Sequence, residues 1–85
     1  MSVTVLYFAR LRESLGLGSE RIELPGNIVD VDGLRDWLRA RGGAWADELA
    51  SGRAVRIAVN QEMAAPASPL RGGDEIAFFP PVTGG

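Results

Sequence analysis

The sequence Ile76-Ala77-Phe78-Phe79-Pro80-Pro81-Val82-Thr83-Gly84-Gly85 joins an apolar segment to two prolines and then to two glycines. Apolar and aromatic residues, as at 76–79, are typical of a β-strand. Proline fixes φ and has no N–H to give to a sheet, so the prolines predict that the strand ends there and that the chain continues in an extended path. We therefore predict a strand that leads into a stiff, projecting tail.

The two glycines at the tip of this tail suggest a functional end. A residue without a side chain leaves the terminal carbonyl of Gly85 unhindered and fits a channel only as wide as a backbone. Six extended residues span at most about 20 Å, which is enough to enter a partner's active site. A bare Gly-Gly is often only a frayed end, but the prolines and the aromatic strand before it favour the functional reading. We predict that Gly85 is the reactive residue and that the tail threads it into place through Pro80, Pro81, Val82, Thr83 and Gly84.

Length and charge exclude several classes of function. Eighty-five residues form one small domain with little room for an enclosed active site. Nine basic and eleven acidic residues are spread along the chain, with a net charge of −2, so no basic stripe is present for nucleic acid or an anionic membrane. No apolar run approaches the length of a membrane span, and no signal segment opens the chain. We expect a cytoplasmic protein that binds neither nucleic acid nor membrane.

The residue types that are missing from the sequence exclude further kinds of site. The sequence has no histidine and no cysteine, so the usual soft metal ligands, thiol nucleophiles and imidazole bases are absent. No Gly-Lys-Ser/Thr loop is present, and Gly16-Leu17-Gly18 lacks the rest of a phosphate-binding motif. We expect no bound metal, no bound cofactor and no catalysis by this chain alone; any nucleotide belongs to a partner.

Alternating apolar residues predict four strands, at 1–9, 19–24, 54–59 and 75–79. Residues 10–18 are predicted to form a turn, because Gly16 and Gly18 interrupt them. Asn60-Gln61 predicts a tight turn before a short edge segment around Met63. The acidic pairs Asp47-Glu48 and Asp74-Glu75 are interpreted as surface charge, with Asp74 completing the turn after Gly72-Gly73.

One main helix is predicted after the second strand, with Asp30 as its N-cap and Gly42-Gly43 as its end. Its predicted buried stripe contains Val31, Leu34, Trp37 and Leu38. Its predicted solvent side contains Arg35, Arg39 and Arg41. A short helical turn at 44–50 should place Trp45 and Leu49 against the core.

This order of elements predicts an α+β fold, with a mixed sheet of four to five strands and one main helix across one face. A crossover through the helix would place the first and last strands side by side and parallel in the centre of the sheet. That arrangement is the β-grasp fold. We expect residues 1–79 to form the domain and residues 80–85 to form the extended C-terminal tail.

Strand parity predicts a docking surface on the uncovered face of the sheet. Phe78 and Phe79 are neighbours in one strand, so their side chains point to opposite faces. If Phe78 joins the core, then Phe79 lies outside, and the same argument places Phe8 outside with Met63 beside it. Exposed aromatic side chains at the root of a tail are typical of a site that binds a partner protein. The alternative is that the tail or a loop covers these side chains.

Three segments resemble the small, sulfur-carrying subunits of molybdopterin synthases. These segments are residues 5–13 (VLYFARLRE), 58–61 (AVNQ) and, above all, 73–85 (GDEIAFFPPVTGG). The resemblance extends over essentially the whole chain and implies a ubiquitin-like β-grasp fold. It also implies that an E1-like adenylyltransferase activates Gly85 with ATP, and that a sulfur donor enzyme then supplies the sulfur of a thiocarboxylate. The family's positions that face the large catalytic subunit correspond to Phe8, Met63 and Phe79.

The resemblance further implies that two carriers serve one dimer of large subunits, which builds the molybdopterin dithiolene from cyclic pyranopterin monophosphate. Catalytic groups would then come from the large subunit. Two alternatives remain open from the sequence. One is a sulfur carrier for another product, such as the thiamine thiazole or a thiolated tRNA base. The other is a ubiquitin-like protein modifier that forms amides with target lysines.

Overall fold

A computed structural model describes residues 1–81 of the chain. Five strands and three helices follow one another in the order β1 (Ser2–Tyr7), α1 (Ala9–Leu15), β2 (Ser19–Glu23), α2 (Val31–Arg39), α3 (Gly43–Glu48), β3 (Arg56–Val59), β4 (Glu62–Met63) and β5 (Glu75–Phe79). The sheet order is β2-β1-β5-β3-β4. β1 pairs parallel with β5, while the other neighbours pair antiparallel. The predicted α+β β-grasp arrangement, with its parallel central pair, is confirmed.

The core lies between one face of the sheet and the helices. Its strand side chains come from a single parity, as predicted, and include Val3, Val5, Tyr7, Ile76 and Phe78. Its helix side chains are Leu11 of α1 and Val31, Leu34 and Leu38 of α2, joined by Leu49 directly after α3. Trp37 and Trp45 are partly buried and pack against this cluster.

The prediction of a turn at residues 10–18 is wrong, because residues 9–15 form helix α1. Leu11 and Leu15, one turn apart, place apolar side chains against the core. The helix ends at Gly16, whose left-handed backbone (φ 70°) lets its N–H bond to the Arg12 carbonyl. A residue with a side chain rarely adopts that conformation. Gly16 therefore marks the C-terminal end of a helix and not a turn that takes the place of the helix.

Asp30 caps α2 as predicted, since its carboxylate accepts a 2.8 Å hydrogen bond from the Gly33 N–H. A Cβ atom at position 33 would lie 3.0 Å from Asp30 Oδ1. The glycine inside the first turn of α2 therefore makes room for the cap. Glycine has a low helix propensity, but at this position it allows the hydrogen bond of the Asp30 cap to form.

The solvent-side placement of Arg35 is wrong, whereas Arg41 is exposed as predicted. Arg35 donates three hydrogen bonds to the carbonyls of Leu49, Ala50 and Arg53, and so ties α2 to the loop before β3. Burial of this guanidinium lowers the pKa of Arg35. Backbone carbonyls have no sequence signature, so a long cationic side chain that binds them cannot be told from a solvated one.

Candidate docking site and tail root

The tail leaves the domain from the centre of the sheet. β5 is paired on both sides, with β1 and with β3, and the β3–β5 ladder runs from Val59↔Ile76 to Arg56↔Phe79. Pro80 follows and cannot donate a ladder hydrogen bond, so the pairing ends at Phe79. Pro81 lies beside the start of β3, where it lines a cleft with Ala54 and Arg56. The predicted end of the strand is confirmed. The predictions for Val82, Thr83, Gly84 and Gly85 lie outside the residues that the structure describes.

The face of the sheet opposite the core, called the open face here, carries a continuous apolar row. Leu6 is the register partner of Ala77, Ala77 of Ala58, and Ala58 of Met63, so these four side chains cross four strands side by side. The two alanines in the middle make a shallow trough between the larger Leu6 and Met63 side chains. Ala58 is buried, Leu6 and Ala77 are half-buried, and Met63 is exposed at the edge of the sheet.

The three predicted docking residues, called the docking cluster, lie at the tail end of this face. The side chains of Phe8 and Met63 are 46% and 59% exposed, whereas Phe79 is half-buried. Phe8 follows β1 directly, and its N–H donates a 3.1 Å hydrogen bond to the Phe78 carbonyl. Ala9 then takes a left-handed backbone (φ 54°), which turns the chain into α1 and leaves Phe8 outside the core.

Leu6, Ala58 and Ala77 were missed by the sequence reasoning. The signal was available, because the parity argument that places Phe79 on the open face also places every second residue of β1, β3 and β5 there. It was overlooked because alanine and a single leucine do not stand out as binding residues. Only the register between strands shows that they lie in one row.

Glu48 corrects the interpretation of Asp47-Glu48 as surface charge. Its side chain is only 10% exposed and lies between two arginines. Arg53 Nη2 donates a 2.9 Å hydrogen bond to Oε1, and Arg10 Nε lies 3.4 Å from Oε2, which accepts no hydrogen bond within the described part of the chain. No local pattern predicts this burial, because Arg10 lies far from Glu48 along the sequence. By contrast, Asp74 completes its turn as predicted by accepting a hydrogen bond from the Arg71 N–H.

A second ion pair fixes the region where β1, β2 and the end of α2 meet. Arg41 donates two hydrogen bonds to Glu20 (2.8 and 3.0 Å), and the Tyr7 hydroxyl donates a third of 2.8 Å. The Arg41 guanidinium also lies over Trp45, 4.5 Å from the ring centroid. Burial, followed by the hydrogen bond to Glu20, raises the pKa of the Tyr7 phenol far above its ordinary value, so Tyr7 stays a donor.

Burial of Glu20 alone would raise its pKa. The hydrogen bonds from Arg41 and Tyr7 outweigh that effect and hold the pKa of this carboxyl below its ordinary value. The hydrogen bond to Glu20 in turn raises the pKa of Arg41. These charges lie on the core side of the sheet, on the face opposite the docking cluster, and they hold β1, β2 and the end of α2 together.

Over residues 1–81, no group of three or more histidine, cysteine, aspartate or glutamate side chains could hold a metal ion. None of the helices in that range is long and apolar enough to cross a membrane. A cleft with a volume of about 350 Å³ lies between α2 and the start of β3, with Val31, Arg35, Val55 and Ala64 in its walls. The charged side chains that line this cleft are those of Asp32, Arg35 and Arg56.

The fold is that of a ubiquitin-like β-grasp protein, because it has a central parallel strand pair, a helix across one face and a C-terminal segment that leaves the middle strand. A family model described as the ThiS family matches residues 5–85, and the chain belongs to that family. An Escherichia coli relative named molybdopterin synthase sulfur carrier subunit is 41% identical over 83 residues, which cover 98% of this chain and 99% of the relative. Curated relatives of the same name from other organisms share 33–40%.

Solved structures show the same fold. SAMP1 from Haloferax volcanii, a small archaeal modifier protein, superimposes with a TM-score of 0.78 at 28% identity, and the match covers all of both chains. The Helicobacter pylori complex of subunits 1 and 2 of the molybdopterin-converting factor contains a chain that matches with a TM-score of 0.68 at 28% identity, again over both full lengths.

Proposed function

We propose that this chain is the sulfur carrier subunit of a molybdopterin synthase. The observation that carries the proposal is the position of the tail, which leaves the doubly paired central strand beside the docking cluster. In this function residues 1–79 are the folded body, and residues 80–85 are the extended tail that brings Gly85 to a partner. The family membership and the names of the curated relatives support the same function.

The chemistry needs only the terminal carboxylate from this chain. An E1-like adenylyltransferase joins a Gly85 carboxylate oxygen to the α-phosphate of ATP, and pyrophosphate leaves. The donor enzyme supplies sulfur at the sulfide level (HS⁻), which attacks the Gly85 carbonyl; AMP leaves, a proton is released, and a thiocarboxylate forms. Its sulfur is nucleophilic at neutral pH without an added base, which explains how a chain without histidine or cysteine takes part in sulfur transfer. An ATP-dependent partner fits the cytoplasmic location expected from the sequence.

The charged carrier then docks on the large catalytic subunit and gives its sulfur to cyclic pyranopterin monophosphate, which becomes the dithiolene of molybdopterin. The docking cluster binds the large subunit, while Pro80 to Gly84 thread Gly85 into the active site. The protein–protein complex of subunits 1 and 2 of the Helicobacter pylori molybdopterin-converting factor supports this pairing. Two carriers on one dimer of large subunits give each active site its own sulfur source. The carrier is consumed and recharged, so it is a subunit of the enzyme rather than a catalyst alone.

The test is intact-mass analysis after incubation with the activating enzyme, ATP and a sulfur donor. The expected product is heavier by the difference between sulfur and oxygen, and it should convert cyclic pyranopterin monophosphate when the large subunit is added. The matched control omits ATP and should show no change in mass. A chain that acquires no sulfur under these conditions would contradict the proposal.

A ubiquitin-like modifier is the second candidate, favoured by the likeness to SAMP1. A modifier would form an amide between Gly85 and a lysine of a target protein. The sequence has no lysine, so the modifier could not extend chains on itself. Adding a cell extract to the same incubation distinguishes the two functions, because a modifier yields adducts of higher mass and a carrier yields only the thiocarboxylate.

A further inference from the structure

Two arginines near the root of the tail share one buried carboxylate. Glu48 contacts Arg53 and Arg10 through its two oxygens, at 2.9 and 3.4 Å. The carboxylate is inside, whereas the side chains of Arg10 and Arg53 are 54% and 44% exposed. One negative charge cannot neutralise two guanidinium groups. The pair therefore presents a surplus positive charge to solvent, and the buried carboxylate limits how far the two arginines can move.

A third arginine adds to this charge on the other side of the tail root. Arg56 is exposed on the open face, is the register partner of Phe79, and lines the same cleft as Pro81. Arg10, Arg53 and Arg56 are called the tail-root arginines. Together with Glu48 they sum to +2, in a chain whose net charge is −2. Two further acidic residues lie nearby: Asp47 in α3, which projects about 100° around the helix from Glu48, and Asp32, which lines the cleft together with Arg35.

The tail-root arginines border the docking cluster. Arg10 lies two residues beyond Phe8, whose N–H bonds to the Phe78 carbonyl, and Arg56 is the register partner of Phe79. These two positive charges therefore lie at the end of the sheet where the chain leaves it. An apolar centre with a charged rim is the ordinary anatomy of a protein interface. The rest of the molecule is acidic, so this end differs from the remaining surface in the sign of its charge.

We propose that the tail-root arginines bind carboxylate side chains of the large synthase subunit, at the edge of the cleft that receives the tail. The proposal rests on the proposed function and names the chemistry of its partner surface. Guanidinium groups suit this role because their planar N–H groups match a carboxylate, and a restrained arginine loses less freedom on binding. An acidic patch on the partner would repel most of this chain but attract the tail end, so encounters would occur tail first.

The double variant Arg10→Gln/Arg56→Gln tests this without stranding a buried charge, because Glu48 keeps Arg53. The matched control is Arg21→Gln/Arg71→Gln, which removes the same number of charges from exposed positions away from the tail root. Arg71 precedes β5 and so lies at the opposite end of the sheet. Stopped-flow association and calorimetric titration with the large subunit should be run at low and at high salt, with thermal unfolding as a check of the fold.

At low salt the tail-root variant should associate about tenfold more slowly than the unchanged chain, and in about 0.5 M salt the difference should shrink to about twofold. The control variant should change less than about twofold at either salt concentration. Equal effects of the two variants, or an effect that salt does not reduce, would overturn the proposal. If the unchanged chain failed to bind the large subunit, the proposed function would fall, and this inference with it.

Discussion

Phe78 and Phe79 are consecutive residues of β5, yet Phe78 is fully buried in the core and Phe79 lies on the open face beside the tail. The Phe78 ring stacks with Tyr7 at a centroid distance of 6.0 Å. Two adjacent aromatic residues thus have separate tasks, since one joins the sheet to the helices and the other is available to a partner. The pair offers matched substitutions of the same residue type in the same strand.

Phe78→Ala should lower the free energy of unfolding by about 3 to 5 kcal/mol, because it leaves a cavity in the core. Phe79→Ala should cost much less stability but weaken binding to the large synthase subunit by about 2 to 4 kcal/mol, as loss of an aromatic anchor does. Denaturant unfolding and calorimetric titration of both variants give the two quantities. The reverse pattern would show that the docking surface lies elsewhere.

Removing Gly85, or adding one residue after it, should abolish sulfur loading without changing the stability of the folded body. The reactive carbonyl would then stand one residue short of, or beyond, the position at which the activating enzyme holds it. Intact mass after incubation with ATP and the sulfur donor reports loading, and thermal unfolding reports stability. A truncated chain that still gains a terminal sulfur would rule out Gly85 as the carrier residue.

Gly84→Val should slow adenylation by orders of magnitude, because a β-branched side chain adds bulk and restricts the backbone where the tail must enter a narrow channel. The change in stability should stay within about 0.5 kcal/mol, as for exposed positions generally. Pyrophosphate release by the activating enzyme measures the rate, and Gly84→Ala serves as the smaller step. Unimpaired release by the valine variant would show that the channel is wide.

Asp30→Ala should destabilise the protein by about 1 kcal/mol, since it removes the side chain that caps α2. Asp32→Ala, in the same helical turn but exposed, is the matched control and should cost less than about 0.5 kcal/mol.

The cap also determines the effect of Gly33→Ala. This substitution should stabilise the Asp30→Ala variant by up to about 1 kcal/mol, but it should stabilise the chain with the intact cap by less. Urea unfolding of the four variants tests this; equal gains in both backgrounds would contradict the role of Gly33.

Glu20→Gln should flatten the loss of stability in acid. The folded-state pKa of Glu20 is below its ordinary value of 4.5, so its ion pair stabilises the protein fully above that pH and is lost as the pH falls through the lowered pKa. Unfolding free energies measured between about pH 7 and about pH 3 should therefore fall less steeply in the variant. Glu62→Gln on β4 is the exposed control. If the free energy of unfolding fell equally steeply with pH in the unchanged chain and in Glu20→Gln, this assignment would be contradicted.

The sequence was sufficient for those parts of the fold that local rules specify. The alternation in β1 and β5, the cap at Asp30 and the turn at Asn60-Gln61 are each encoded within a few residues, and the structure has all of them. Both turn residues have positive φ, the conformation that such a two-residue hairpin requires. α1 was missed because Gly16 and Gly18, which follow it, suggested a turn, although Leu11 and Leu15 were spaced for a helix.

The parts of the site that the sequence did not reveal depend on contacts between distant segments. Glu48 and Arg10 are separated by 38 positions along the chain, and only the packing of α1 against α3 brings them together. Arg41 and Glu20 meet in the same way, across the core side of the sheet. The apolar row requires the register of four strands to be known. No local pattern carries that information.

The central place of β5 also has a mechanical consequence. A partner that draws the tail into its active site pulls along β5, which is hydrogen-bonded to β1 on one side and to β3 on the other. Such a pull acts parallel to both strand pairs and loads many hydrogen bonds at once, whereas an edge strand could be peeled away one bond at a time. The folded domain can therefore move as a rigid body, so that a pull on the tail moves the whole domain toward the partner without unfolding it.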